Sequence, residues 1–105
     1  MDITSQTLSS VATVLIATPR RYLGQLCKHF QHKLPVSYAE HYETGRIVFS
    51  VGSCELEADE SQGILTMHAS AANDADLSQL EDVVARHLVR FAFRETLDLA
   101  WTRTS

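Results

Sequence analysis

Long hydrophobic runs are missing from this sequence. The longest uninterrupted apolar stretch is Val14-Leu15-Ile16-Ala17, far short of the roughly 20 residues that cross a bilayer as a helix, so no membrane partner is expected. Residues 1–10 have neither the basic start nor the apolar centre of a secretory signal, which makes the cytoplasm the default expectation, with reduced thiols. Two cysteines are too few for a disulfide framework. Four glycines, at positions 24, 45, 52 and 63, leave no room for a glycine-rich phosphate loop. Basic residues are outnumbered, 9 against 13 acidic ones, for a net charge of -4. That balance argues against a general nucleic-acid binder, which needs a positive field.

What is present is the composition of an ordinary folded domain: 105 residues, 45% hydrophobic and 21% charged. The length suits one domain, expected over residues 10–105 behind a loose, polar stretch at 1–9. Residues 11–17 are β-branched and apolar and predict a strand buried on much of both faces. Thr18-Pro19 then suggests an N-cap with proline at the first helical position. The helix is expected to run to about Lys33, ahead of Pro35. Its apolar stripe is Tyr22, Leu23, Leu26, Cys27 and Phe30, with Arg20, Arg21, Gln25, Lys28 and His32 on the other side.

A period-two pattern follows. Val36, Tyr38 and Tyr42 alternate with Ser37, His41 and Glu43. Thr44-Gly45 suggests a turn into residues 46–51, with Ile47, Phe49 and Val51 inward, and Gly52-Ser53 a turn into 54–59. There Cys54, Leu56 and Ala58 face in while Glu55, Glu57 and Asp59 face out. Beyond a loop at 60–63, Leu65, Met67 and Ala69 point in along 64–71. Short strands joined by short turns read as an antiparallel meander with one wet face.

The second helix starts near residues 74–76, where Asp76-x-x-Gln79 fits a capping box. Leu77, Leu80, Val83, Val84, Leu88 and Phe91 make its stripe, and Asp82, Arg86, Arg90 and Arg94 lie opposite. Leu97, Leu99 and Trp101 then mark a last strand. The expected fold is therefore α+β in the order β-α-β-β-β-β-α-β, a curved antiparallel sheet with two helices packed on one face. A TATA-binding-protein-like half fold is the nearest analogy, and analogy of fold carries no function.

The stretches Arg21-Tyr22-Leu23, Leu26 to Lys33 (LCKHFQHK), Cys54 to Ala58 (CELEA) and His87 to Glu95 (HLVRFAFRE), with Trp101, resemble a small bacterial domain family of unknown function. The resemblance covers about residues 10–103. Similar domains sometimes precede siderophore-interacting flavoproteins, which implies a link to iron or siderophore handling. No catalytic residue or established ligand comes with it.

The residues themselves offer two candidate sites. His29 and His32 are three apart on one helix, a spacing that lets two imidazoles share a metal. Cys27 is excluded as a third ligand, since it sits about 160° from His29 and about 140° from His32 around the axis. His87 falls inside the second helix's apolar stripe, where a part-buried imidazole needs a hydrogen-bond partner. His29, His87 and Cys54, meeting across elements, are the metal alternative, for iron, zinc or haem. Cys27 and Cys54 otherwise read as small core residues.

The second candidate is charge. The first 35 residues carry four basic groups and one acidic, the remainder five and twelve. Folding should leave acids on the open sheet face and arginines on the helices, so the sheet repels phosphate. Arg86, Arg90 and Arg94 form a row that can dock an anionic partner. Asp82 can pair with Arg86 and Asp98 with Arg94, whereas Arg90 has no acid three or four positions away. The reading that results is a non-catalytic accessory domain, binding a partner protein or small molecule through His29, His87, Arg86, Arg90 and Arg94, without a cofactor. The alternative is the metal or haem module. Exposed edge strands leave monomer and homodimer both open.

Overall fold

The computed structural model describes residues 7–104. Along the chain come β1 (Leu8–Leu15), α1 (Pro19–Phe30), β2 (Val36–Tyr38), β3 (Thr44–Phe49), β4 (Gly52–Asp59), β5 (Ile64–Ala71), α2 (Asp74–Phe91) and β6 (Thr102–Arg103). The strands form one antiparallel sheet in the order β2-β3-β4-β5-β1-β6, and the fold is α+β. Both helices lie on the same side of it. The register sets Cys54 against Ala69, Leu56 against Met67 and Ala58 against Leu65 on one face, and that face receives Leu23, Leu26, Cys27 and Phe30 of α1 and Leu77, Leu80, Val84 and Leu88 of α2. Each such large side chain contributes about 1.5–3 kcal/mol by leaving water. Glu55, Glu57 and His68 stand exposed on the opposite face.

The strand at the N-terminal end differs from its expected form. Ser10, Ala12, Val14 and Ile16 are buried, but Thr13 is exposed and Leu15 is 73% exposed. A β-branched run does not require two covered faces, and here the helices cover only one. The strand also starts earlier, since Leu8 pairs with Ala71 and Ser9 with Ser70. The expected loose segment therefore loses its last residues to the sheet, and residues 1–6 lie outside the described ones.

Thr18 does not cap α1 with its side chain. It adopts a left-handed backbone (φ 52°), and its hydroxyl donates to the Ala17 carbonyl at 2.7 Å. The Glu60 carboxylate, from the β4–β5 turn, accepts the Arg20 N–H instead at 2.8 Å. The helix ends at Phe30 rather than Lys33, because Leu34 and Pro35 must be set for Val36 to pair with Ile47. In α2 the cap lies one turn before the expected one: Asn73 accepts the Asp76 N–H at 2.8 Å, and its amide donates back to the Asp76 carboxylate at 3.1 Å.

The glycines at 45 and 52 open strands rather than make turns. A Cβ on Gly45 would lie 2.7 Å from the Cys27 sulfur, and one on Gly52 2.1 Å from the Ser70 carbonyl oxygen. Close approach, rather than backbone freedom, selects glycine there. The turns fall at 39–43 and 50–51, so Tyr42 belongs to a turn, at φ 62°. Finally, residues 97–101 join no ladder. Leu97, Leu99 and Trp101 pack on the core, and only Thr102 and Arg103 pair, with Val11 and Ser10.

Candidate functional site

The charged row on α2 divides into residues that are already paired and residues that are not. Arg86 gives its Nε–H to Asp82 at 2.9 Å, one turn back on the same helix. No ion pair holds Arg90 or Arg94 among the described residues. The guanidinium of Arg94 lies over the Phe93 ring, 5.4 Å from its centroid, rather than on Asp98. Phe93 itself is 75% exposed, because the chain leaves helical geometry after Phe91 and turns the ring outward.

Packing of α1 beside the end of α2 then puts Arg94 opposite Arg21. These two arginines, with Tyr22, Gln25, Phe91 and Phe93, line a cleft of about 360 Å³ between the helices. The hydroxyl pKa of Tyr22 is raised by burial first and then by the neighbouring Glu95 carboxylate. Glu95 is fixed by the Ala17 N–H at 3.0 Å. The one acid beside the cleft is thus tied to its floor.

A second hollow, of about 430 Å³, continues over the outer face of α1 and is lined by Arg20, Arg21, Gly24, Gln25, Lys28 and Tyr42. Tyr42 closes it. A Cβ at position 24 would meet the Tyr42 ring at 3.1 Å, so Gly24 admits the ring against the helix. The Lys28 ammonium stands 4.9 Å from the ring centroid, and its hydrogen bond to Tyr42 raises its pKa. Sequence reasoning named Arg94 but missed Arg21, Tyr22 and Gln25, which are 69 or more residues away in the chain. The available signal was the absence of any acid in the first turns of α1.

The histidines separate as well. His29 and His87 meet, with ring centroids 4.9 Å apart, and Phe30 and Phe91 pack around them. His87 Nδ1 lies 2.7 Å from the Val83 carbonyl oxygen. A carbonyl only accepts, so Nδ1 carries a proton, and it is Nε2 that holds the lone pair whenever the ring is neutral. The pKa of His29 is lowered by burial first, then by the charges of His87, Arg90, His32 and Lys33.

His32 is exposed. Cys54 does not complete a three-ligand set: among the described residues no three His, Cys, Asp or Glu side chains converge. Its thiol is buried in the core and its pKa is pushed up to about 12, chiefly by burial; that of Cys27 rises to about 11 for the same reason. Neither is a reactive thiolate.

Acids and bases are distributed to match. On the open sheet face Arg46 pairs with Glu55 at 3.6 Å and His68 approaches Glu57 at 3.7 Å. On α2, Asp82 is bound by Arg86, and Asp74 and Glu81 by Arg103; the cleft between the helices is lined by Arg21 and Arg94 and by no acid. No described helix is long and apolar enough to cross a membrane.

A profile for uncharacterized proteins conserved in bacteria (DUF2218) matches residues 11–102. The chain belongs to this family. The DUF2218 fold has a solved example with which it is similar throughout: the NMR structure of PA4090 from Pseudomonas aeruginosa, 34% identical, with 90% of this chain and 95% of that one covered at a TM-score of 0.75. No curated protein matches the chain. The kinship therefore extends to fold and family.

Proposed function

We propose that this DUF2218 domain is a non-catalytic binding module that takes an anionic small molecule in the cleft between α1 and α2. One observation carries the reading: Arg21 of α1 and Arg94, just past the end of α2, line the same cleft with Tyr22, Phe91 and Phe93. Two fixed positive charges beside aromatic walls suit a ligand that has both negative charge and rings. The volume of about 360 Å³ lies within the usual range for small-ligand sites. The resemblance to domains that precede siderophore-interacting flavoproteins narrows the class to an anionic ferric chelate.

Calorimetric titration with ferric tris-catecholate, a triply negative aromatic complex, tests this. The expected result is micromolar binding that Arg94→Glu weakens about tenfold or more and Arg86→Glu leaves unchanged, because Arg86 is already neutralised by Asp82. Equal loss in both variants would reduce the effect to diffuse charge and end the reading.

A second reading, in which His29 and His87 bind zinc or the iron of haem, is favoured by the tautomer of His87. A backbone acceptor on Nδ1 with Nε2 left free is the arrangement of a metal-ligating imidazole. Two imidazoles make an incomplete set for structural zinc, so it ranks second. Loss of the ferric-chelate signal in His87→Phe but not in Arg94→Glu would reverse the ranking.

A further inference from the structure

A cleft of about 450 Å³ that shares no lining residue with the arginine cleft opens where the end of α1, the end of β3 and the middle of α2 meet. Phe30, Leu34, Phe49 and Val83 are its apolar lining, and His29, His32 and Lys33 its polar one. The Phe30 and Phe49 rings meet edge to face, 5.1 Å apart at 72°, and the His29 ring meets Phe30 at 83°. Edge-to-face and offset contacts are also how a further flat ring would meet the aromatic side chains of this lining.

The field over this cleft is positive. The permanent charges that act on His29 are both cationic, Arg90 of α2 and Lys33 just beyond α1. Two carbonyls at the opposing negative end of α1 are occupied. The Gln31 N–H bonds the Cys27 carbonyl, and the Lys33 and Leu34 N–H groups both bond that of Phe30. An apolar hollow with one full charge at its edge suits a monovalent anion on an apolar body, whereas a phosphate would want more donors than Lys33 supplies.

We propose that this cleft is a binding site for an aromatic carboxylate, its ring held against Phe30 and Phe49 and its carboxylate at the Lys33 rim. The site is separate from the arginine cleft and stands whether or not that cleft binds a chelate.

Titration of ¹⁵N-labelled protein with 2-naphthoate, and in parallel with the neutral 2-naphthamide, is the test. Saturable shifts are expected at the amides of Phe30, Leu34, Phe49 and Val83. Naphthamide should bind at least about fivefold more weakly, as a rim charge pair in a wet setting allows. Lys33→Glu should remove that preference at these amides, and Arg46→Gln, on the open sheet face, should leave it intact. Lys33 is exposed, and the spectrum itself reports whether each variant is folded. Equal affinity for the two probes, shifts centred on Arg21 and Arg94, or no saturation by about 5 mM, where binding is weaker than any specific aromatic site, would each overturn the proposal.

Discussion

At the scale of single residues, the histidines show how far spacing alone leads. The positions of His87 in an apolar stripe and of Cys27 facing away from His29 were both legible, since each follows from 100° steps around a helix. The meeting of His29 with His87 was expected only as part of a set with Cys54. The two rings do meet, tilted at 45° with centroids 4.9 Å apart, but no third ligand joins them among the described residues, because distances between elements are absent from any one element's periodicity. The contact has a measurable consequence. Burial first, and then its basic neighbours, hold the pKa of His29 below its ordinary value of about 6.5. The unfolded chain therefore takes up this proton more readily than the folded one. The associated stability is fully present above about pH 6.5 and is lost as pH falls through the lowered value. Urea unfolding of wild type and His29→Gln between about pH 7.5 and 5.5 should show wild type losing stability relative to the variant on acidification. Parallel pH profiles would remove this account of the pair.

At the scale of elements, most boundaries were readable and the errors share a cause. Alternation along β4 and β5 placed Cys54, Leu56, Leu65, Met67 and Ala69 inward as observed. Gly45 and Gly52 were taken for turn residues because local sequence cannot distinguish a glycine that bends the chain from one that lets another element close in. The α1–β3 contact is set by that second use. Adding a methyl group at Gly45 brings it to 2.7 Å from the fully buried Cys27 sulfur, so Gly45→Ala should cost about 1–3 kcal/mol of overpacking. The same change in a Cys27→Ala background should cost clearly less, since the clashing atom is gone. Denaturation midpoints of the two single variants and the double variant measure the difference. Strict additivity would mean that the strain is relieved elsewhere.

At the scale of the whole molecule, the chain is closed by one side chain near its end. Arg103, on the two-residue β6, reaches across to α2, where it contacts the Asp74 carboxylate, gives its Nε–H to Glu81 at 3.1 Å and meets the Ser78 hydroxyl at 3.0 Å. Thr104 then donates its N–H to the Ser9 carbonyl at 2.9 Å. So short a strand cannot hold its place by ladder bonds alone. Arg103→Ala should speed amide exchange at Thr104 by about tenfold or more while the amides in the middle of α2 keep their protection. Equal exchange in both proteins would show that Leu97, Leu99 and Trp101 anchor the segment without the arginine. The same network neutralises acids on α2, which leaves the free cations near α1.

Periodicity, charge and punctuation determined the class of fold, the order of its elements, the inward residues and the segregation of carboxylates onto the open sheet, because each is a property of neighbours along the chain. Tertiary structure alone decided that Arg21 would face Arg94, that Cys54 would stay out of reach of the histidine pair and that an apolar hollow would open beside Lys33. Those are distances between segments with separate periodicities, and they are set by how closely two helices can approach one sheet face.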